Sequence, residues 1–121
     1  MAAEIFVVPD INWAAIVIAC LFMALDVVTG FAQAWKNHCV DSKVMKNGIW
    51  HKCGFLLAIM FGCLCEYTSL FLDLGFALPV QSAVCVYVIL TEIVSILENL
   101  GELSPELKES EFMKIFNRES K

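Results

Sequence analysis

Three carboxylates stand inside runs of apolar residues: Asp26 in WAAIVIACLFMALDVVTGFAQAW, Glu66 in CGFLLAIMFGCLCEYTSLFL, and Glu92 late in the run that starts near Phe76. A carboxyl in such a setting can carry a proton, line a polar path or bond one helix to another. A charged side chain at the centre of a membrane helix costs about 2.5–3.5 kcal/mol, so its presence points to function or to a specific partner. No Lys or Arg lies within any of the three runs. The acids are therefore expected to be protonated, hydrogen-bonded to another helix, or turned to water. A second group of reactive residues, His38, Cys39, His51 and Cys53, brackets a basic segment and raises the question of zinc. Its spacing matches no Cys-x-x-Cys pair or other strong ligand pattern, so no metal site is expected. Of the six cysteines, Cys20, Cys63, Cys65 and Cys85 read as small apolar fillers, while Cys39 and Cys53 are expected to stay reduced.

The elements that must position these groups are long helices. Trp13–Trp35 would extend roughly 34 Å, enough for a hydrocarbon core of about 30 Å. The other two spans are read as 53–72 and 76–98, and too few segments are present for a closed barrel. The chain of 121 residues is 60% hydrophobic and 17% charged, far from a soluble domain of about 45–50% apolar and 25% charged residues. The expected class is an all-α membrane protein with three transmembrane helices, residues 1–100, followed by a charged tail, 101–121. In the tail, Gly101 reads as a helix end and Ser104–Pro105 as the start of another short helix. Leu107, Phe112, Ile115 and Phe116 give it a partial apolar stripe, but a frayed, solvated tail is the favoured reading. The residues before the first run hold Glu4 and Asp10 and no basic residue, which speaks against a cleaved secretory signal.

Charge sets orientation and removes functions. Lys36, Lys43, Lys46 and Lys52 fall between runs one and two, and Lys108, Lys114, Arg118 and Lys121 follow run three. The positive-inside rule places both groups in the cytoplasm, giving N-terminus out and C-terminus in. A net charge of −5 argues against nucleic-acid binding, which rests on neutralising phosphates. No cofactor is expected, and no enzyme with a large preformed pocket.

The polar residues fall into patterns. At 1.5 Å per residue, Asp26 and Glu92 lie roughly 10 Å from the cytoplasmic face, and Glu66 and Gln81 roughly 10 Å from the outer face. Each pair could bond between helices, within or between subunits. Run two carries Gly54, Ala58, Gly62 and Glu66 at intervals of four, a small-residue stripe of the kind that lets helices approach closely in lipid. Run one offers Ala15, Ala19, Asp26, Gly30 and Ala34 on a similar face. Run three aligns Gln81, Cys85, Val88, Glu92, Ser95 and Asn99 as a polar seam. Three helices have little interior for so many polar groups, so self-association is expected, with Asp26, Gly30, Gly54, Ala58, Gly62, Glu66, Gln81, Glu92, Ser95 and Asn99 as the oligomerisation or pore-lining candidates.

LDVVTG (Leu25–Gly30), SKVMKNGIWHK (Ser42–Lys52) and EIVSILENLGEL (Glu92–Leu103) resemble phage holins of the small toxin-secretion/phage-lysis type, over about residues 11–107. The matching positions are Asp26, Thr29 and Gly30; Ser42, Lys43 and Gly48; and Glu92, Ser95, Glu98, Asn99 and Gly101. The resemblance implies a non-enzymatic multi-pass protein of the bacterial cytoplasmic membrane that assembles with itself in lipid. Its homo-oligomeric lesions would let a murein hydrolase (endolysin) or a toxin escape, with no direct contact between holin and cargo required. Two other readings stay open: a small ion or multidrug transporter using one of the acids as proton carrier, and a membrane subunit that docks a larger partner. Saturable substrate flux would mark the first, no flux alone the second, and abrupt loss of permeability to large solutes the holin.

Overall fold

The computed structural model describes residues 11–73, 75, 79–109 and 114. These form α1 (Trp13–Lys36), α2 (Ser42–Ser69), α3 (Val80–Leu103) and a single turn, α4 (Pro105–Lys108), with no strand among the described residues. The first three are each long and apolar enough to cross a membrane. The apolar segment of the tail, Phe112, Ile115 and Phe116, lies outside the described residues.

Helix ends follow local chemistry. Asn12 caps α1 by accepting from the Ala15 N–H at 3.1 Å, and Asp41 caps α2 by accepting from Lys43 N–H at 2.9 Å. The Asp41 cap moves the start of α2 into the basic segment, eleven residues before the expected span. Helix α2 thus has 28 residues, and Lys52 stands inside it rather than in a loop. The α1 end carries a paired closure: His38 N–H donates to Trp35 O at 3.3 Å and Cys39 N–H to Ala34 O at 2.9 Å. This is the Schellman arrangement, and it holds His38 at φ 56°, in the left-handed region. Helix α3 continues two residues past Gly101, which is buried in its last turn rather than ending the helix. Beyond it, Ser104 precedes α4 and Pro105 occupies its first turn, as the Ser-Pro pair predicts.

Long-range bonds join Asn12 to Gln81, Asp26 to Ser95, Thr29 to Asn99, and Lys36 to Leu103 O. The nearly constant offset means that α1 and α3 run parallel, as alternate spans must. Helix α2 runs against both, pairing Lys52 with Asp26 and Glu66 with Gln81 N–H. Helix α3 is central: α1 and α2 both pack chiefly on it, and touch each other little. The buried apolar core is Ala19, Met23, Phe55, Ile59, Cys85 and Val88. Leu21, Val28, Leu57, Phe61, Leu64 and Leu90 are exposed on the outside. An apolar exterior around an interior that also holds polar groups suits lipid, where bundles gain nothing from hiding Leu but gain from satisfying polar groups internally.

Candidate functional site

Two polar layers cross the bundle, one toward the segment linking α1 to α2 and one toward the α2–α3 turn. In the first, Lys52 Nζ reaches Asp26 Oδ2 at 2.5 Å and Glu92 Oε2 at 3.0 Å, joining all three helices. Glu92 is 2% exposed, so this is a buried network and not a surface pair. The remaining Asp26 oxygen, Oδ1, accepts from Ser95 Oγ at 2.6 Å and Asn99 Nδ2 at 3.0 Å. Asn99 Nδ2 also lies 3.1 Å from Thr29 Oγ1, whose hydroxyl donates to Leu25 O at 2.9 Å. The expectation that the acids lack a basic partner is therefore corrected: Lys52, placed just before the second run, lies inside α2 and serves two of them. The matched depths of Asp26 and Glu92 do put them in one layer, within a single chain.

The reason is helical register. Ser95 and Asn99 are four apart on α3, and Lys52 and the core residue Ile59 are seven apart, two turns, on α2, so each helix turns one edge of its buried face into this layer. Gly30 lets Asn99 come close: a Cβ there would stand 3.4 Å from Asn99 Nδ2. Beside the layer lies an open cleft of about 370 Å³ between α1 and the first half of α2, lined by Gly30, Ala34, Met45 and Gly48, with Asp26, Lys52 and Ser95 at its base.

The second layer is built on backbone. Glu66 Oε1 accepts from the Gln81 N–H at 3.1 Å, in the first turn of α3, where helix N–H groups lack internal partners and favour an anion. The Gln81 side chain, fully buried, accepts from Asn12 N–H at 3.1 Å and donates to Asn12 O at 3.3 Å. Gly62 lies against this turn so closely that a Cβ would stand 2.8 Å from Gln81 Cα. Glu66 and Gln81 thus meet, as their matched depths suggest, again within one chain.

The stripe on α2 divides. Gly62 and Glu66 pack on α3 of the same chain and Ala58 is half-buried, whereas Gly54 is exposed with open space where a side chain would go. The seam on α3 faces inward: Gln81, Cys85, Val88 and Glu92 are buried, Ser95 and Asn99 half-buried. Of the cysteines, Cys20, Cys39 and Cys53 are exposed, and no group of three or more metal-ligating side chains occurs among the described residues. His51 instead packs against Phe55 in a tilted arrangement, ring centres 4.5 Å apart. Residues missed by sequence reasoning are Lys52, Asn12 and Lys36, whose Nζ caps the α3 end at Leu103 O, 2.5 Å away.

No curated protein and no solved structure matches the chain. A family model described as the bacteriophage holin family matches residues 10–114, a stretch holding all three spanning helices and both polar layers. Matched over that length, the chain belongs to the bacteriophage holin family.

Proposed function

We propose that this protein is a lysis or export holin. It accumulates in the bacterial cytoplasmic membrane, N-terminus out and C-terminus in, associates with itself and opens lesions through which a murein hydrolase or a toxin leaves. The family match over residues 10–114 carries this reading. Family members are non-enzymatic, and neither polar layer needs a cofactor to account for its residues.

The geometry is compatible with one mechanism. In the single chain every polar seam is folded inward and satisfied, so the protein can insert and collect without breaching the bilayer. Among the described residues, no buried side-chain nitrogen or oxygen lacks a hydrogen-bond partner. Association then gives Asp26, Glu92, Ser95 and Asn99 a second solution, a water-filled lumen shared between copies, in which charges are solvated. Gly54, open on the outer face of α2, and the exposed apolar side chains beside it are the surfaces free to meet another copy.

The test is to express the chain beside a cytoplasmic murein hydrolase and follow turbidity. A holin gives a sudden drop at a set time, and loss of permeability barrier to large solutes. Steady growth with the hydrolase retained inside would overturn the reading. Topology is read on native Cys39, which is exposed. Labelling of Cys39 by an impermeant thiol reagent in intact, non-lysing cells would reverse the assigned orientation.

A further inference from the structure

The two polar layers leave the first half of α2 held to the rest of the bundle by very little. Val44, Ile49, Trp50, His51 and Cys53 are all exposed, and Met45 is half-buried. Helices α1 and α2 touch little, and the cleft of about 370 Å³ separates them over this stretch. Among the described residues, the bonds that cross from this half of α2 to the other helices come from Lys52, to Asp26 on α1 and Glu92 on α3. Below it the packing changes character, for Phe55, Ile59 and Gly62 are buried against the bundle. A long helix anchored tightly at one end and by one side chain at the other is a lever with a catch.

We propose that Lys52 is the catch that keeps this bundle closed. Its ammonium draws the first half of α2 over the base of the cleft and covers the Asp26–Ser95–Asn99 network. Release lets residues 42–53 swing away from α1 and opens that network to water or to a neighbouring copy. Two features make the catch releasable rather than permanent. Its interactions are ionic, so they lose most of their strength once water enters the cleft and the local dielectric rises. The layer also carries two acids for one base, so that formal charge is unbalanced in the closed form and better solvated in the open one. This role rests on the lesion-forming reading above and adds the residue that times it.

The experiment pairs a distance with lysis. Spin labels at Phe31→Cys and Trp50→Cys, in full-length protein whose six native cysteines are replaced, report the α1–α2 separation in lipid nanodiscs holding one copy each. With Lys52 present, a single short distance is expected. Lys52→Met should shift the distribution to longer distance and broaden it, and Lys52→Arg should restore it. Asp26→Asn is the gentler companion, because it is isosteric and keeps acceptors for Ser95 and Asn99 while weakening the α1–α2 link. It should lengthen the same distance, and leave a second pair, Trp50→Cys with Leu90→Cys across α2 and α3, unchanged. In cells, at equal membrane amounts, Lys52→Met should lyse earlier than the parent and Lys52→Arg near normal time. An unchanged α1–α2 distance in both Lys52→Met and Asp26→Asn overturns the catch. A lengthened distance with no permeability change at any expression time leaves the catch standing and instead removes the lesion reading.

Discussion

The two polar layers solve the same problem by different means. At the turn end, the Glu66 and Gln81 side chains bond to main-chain N–H and C=O groups of Gln81 and Asn12, and Gly62 brings two backbones into contact. At the other end, Asp26, Lys52 and Glu92 meet through long side chains beside an open cleft. Backbone contacts have no rotamers to release and tolerate little displacement, whereas ionic side-chain contacts can be exchanged for water with modest movement. One end of the bundle is therefore built as a joint and the other as a closure. That division is what a protein requires if it must first sit quietly in a membrane and later rearrange.

The sharpest way to break this comparison is at the joint. Gly62→Val would drive its Cβ into the Gln81 backbone, which cannot step aside as a flexible side chain could. The expected cost is about 3 kcal/mol, the upper end for overpacking, seen as a lowered midpoint of thermal unfolding in detergent and loss of timed lysis. By contrast, Gly54→Val faces open space and should leave unfolding unchanged, so any lysis defect there reports on contact between copies. Equal thermal effects at the two glycines would show that the joint is no tighter than the outer surface.

Next in size is the closure. Glu92→Leu leaves Lys52 with Asp26 alone, at a cost of about 2 kcal/mol for the missing acceptor. It also balances the formal charge of the layer and removes a carboxyl from the seam that would line a lumen. Expected are normal membrane amounts and clustering, with late or absent lysis, measured by turbidity beside a cytoplasmic murein hydrolase. Glu92→Gln separates the two contributions. It keeps a hydrogen-bond acceptor for Lys52, so it should hold thermal stability near the parent, while sharing the delay if charge drives opening. Timely lysis from the Leu variant would remove this seam as the lumen face.

Much of this arrangement is legible in the chain itself. Three apolar runs of sufficient length announce three helices, and matched depths pair Asp26 with Glu92 and Glu66 with Gln81. The Lys52 pairing is harder to see because a hydropathy boundary is not a helix boundary. Apolar composition begins at Cys53, but the helix begins at Ser42, where Asp41 supplies the cap. Reading Asp41 as an N-cap would have placed Lys52 about 15 Å inside α2, near Asp26 and Glu92. The small-residue stripe shows a different limit. Spacing of four identifies a face on which backbones can approach closely, but it does not say whether the approaching helix belongs to the same chain. Gly62 meets α3 of its own chain, whereas a Cβ at Gly54 would face open space among the described residues.

A smaller effect tests how much of the joint lies in the Gln81 side chain. Gln81→Leu keeps the volume and the main-chain bond to Glu66 but removes both bonds exchanged with Asn12 and the weak one to Cys85 Sγ. A loss of about 1–2 kcal/mol is expected, from these neutral hydrogen bonds partly offset by better burial. The start of α1 should loosen, giving faster amide exchange at residues 12–16 while residues 55–62 stay protected. Uniform loosening across all three helices would mean that this end has no separate mechanical identity.

The smallest effect has the opposite sign and lies in the link between α1 and α2. His38 adopts φ 56° to close the end of α1, a conformation that costs an ordinary residue roughly 1 kcal/mol and glycine almost nothing. His38→Gly should thus stabilise the turn by somewhat under about 1 kcal/mol, since glycine also gains freedom in the unfolded chain. The two hydrogen bonds that define the turn are made by backbone and survive the change. A rise in unfolding midpoint of a few degrees is expected in detergent. If the closed state is set by Lys52, lysis time should stay as in the parent, because the turn lies outside the ionic layer. A delay comparable to that of Glu92→Leu would instead place control of α2 in the turn, and the contrast between a rigid joint and a releasable ionic closure would have to be redrawn around His38.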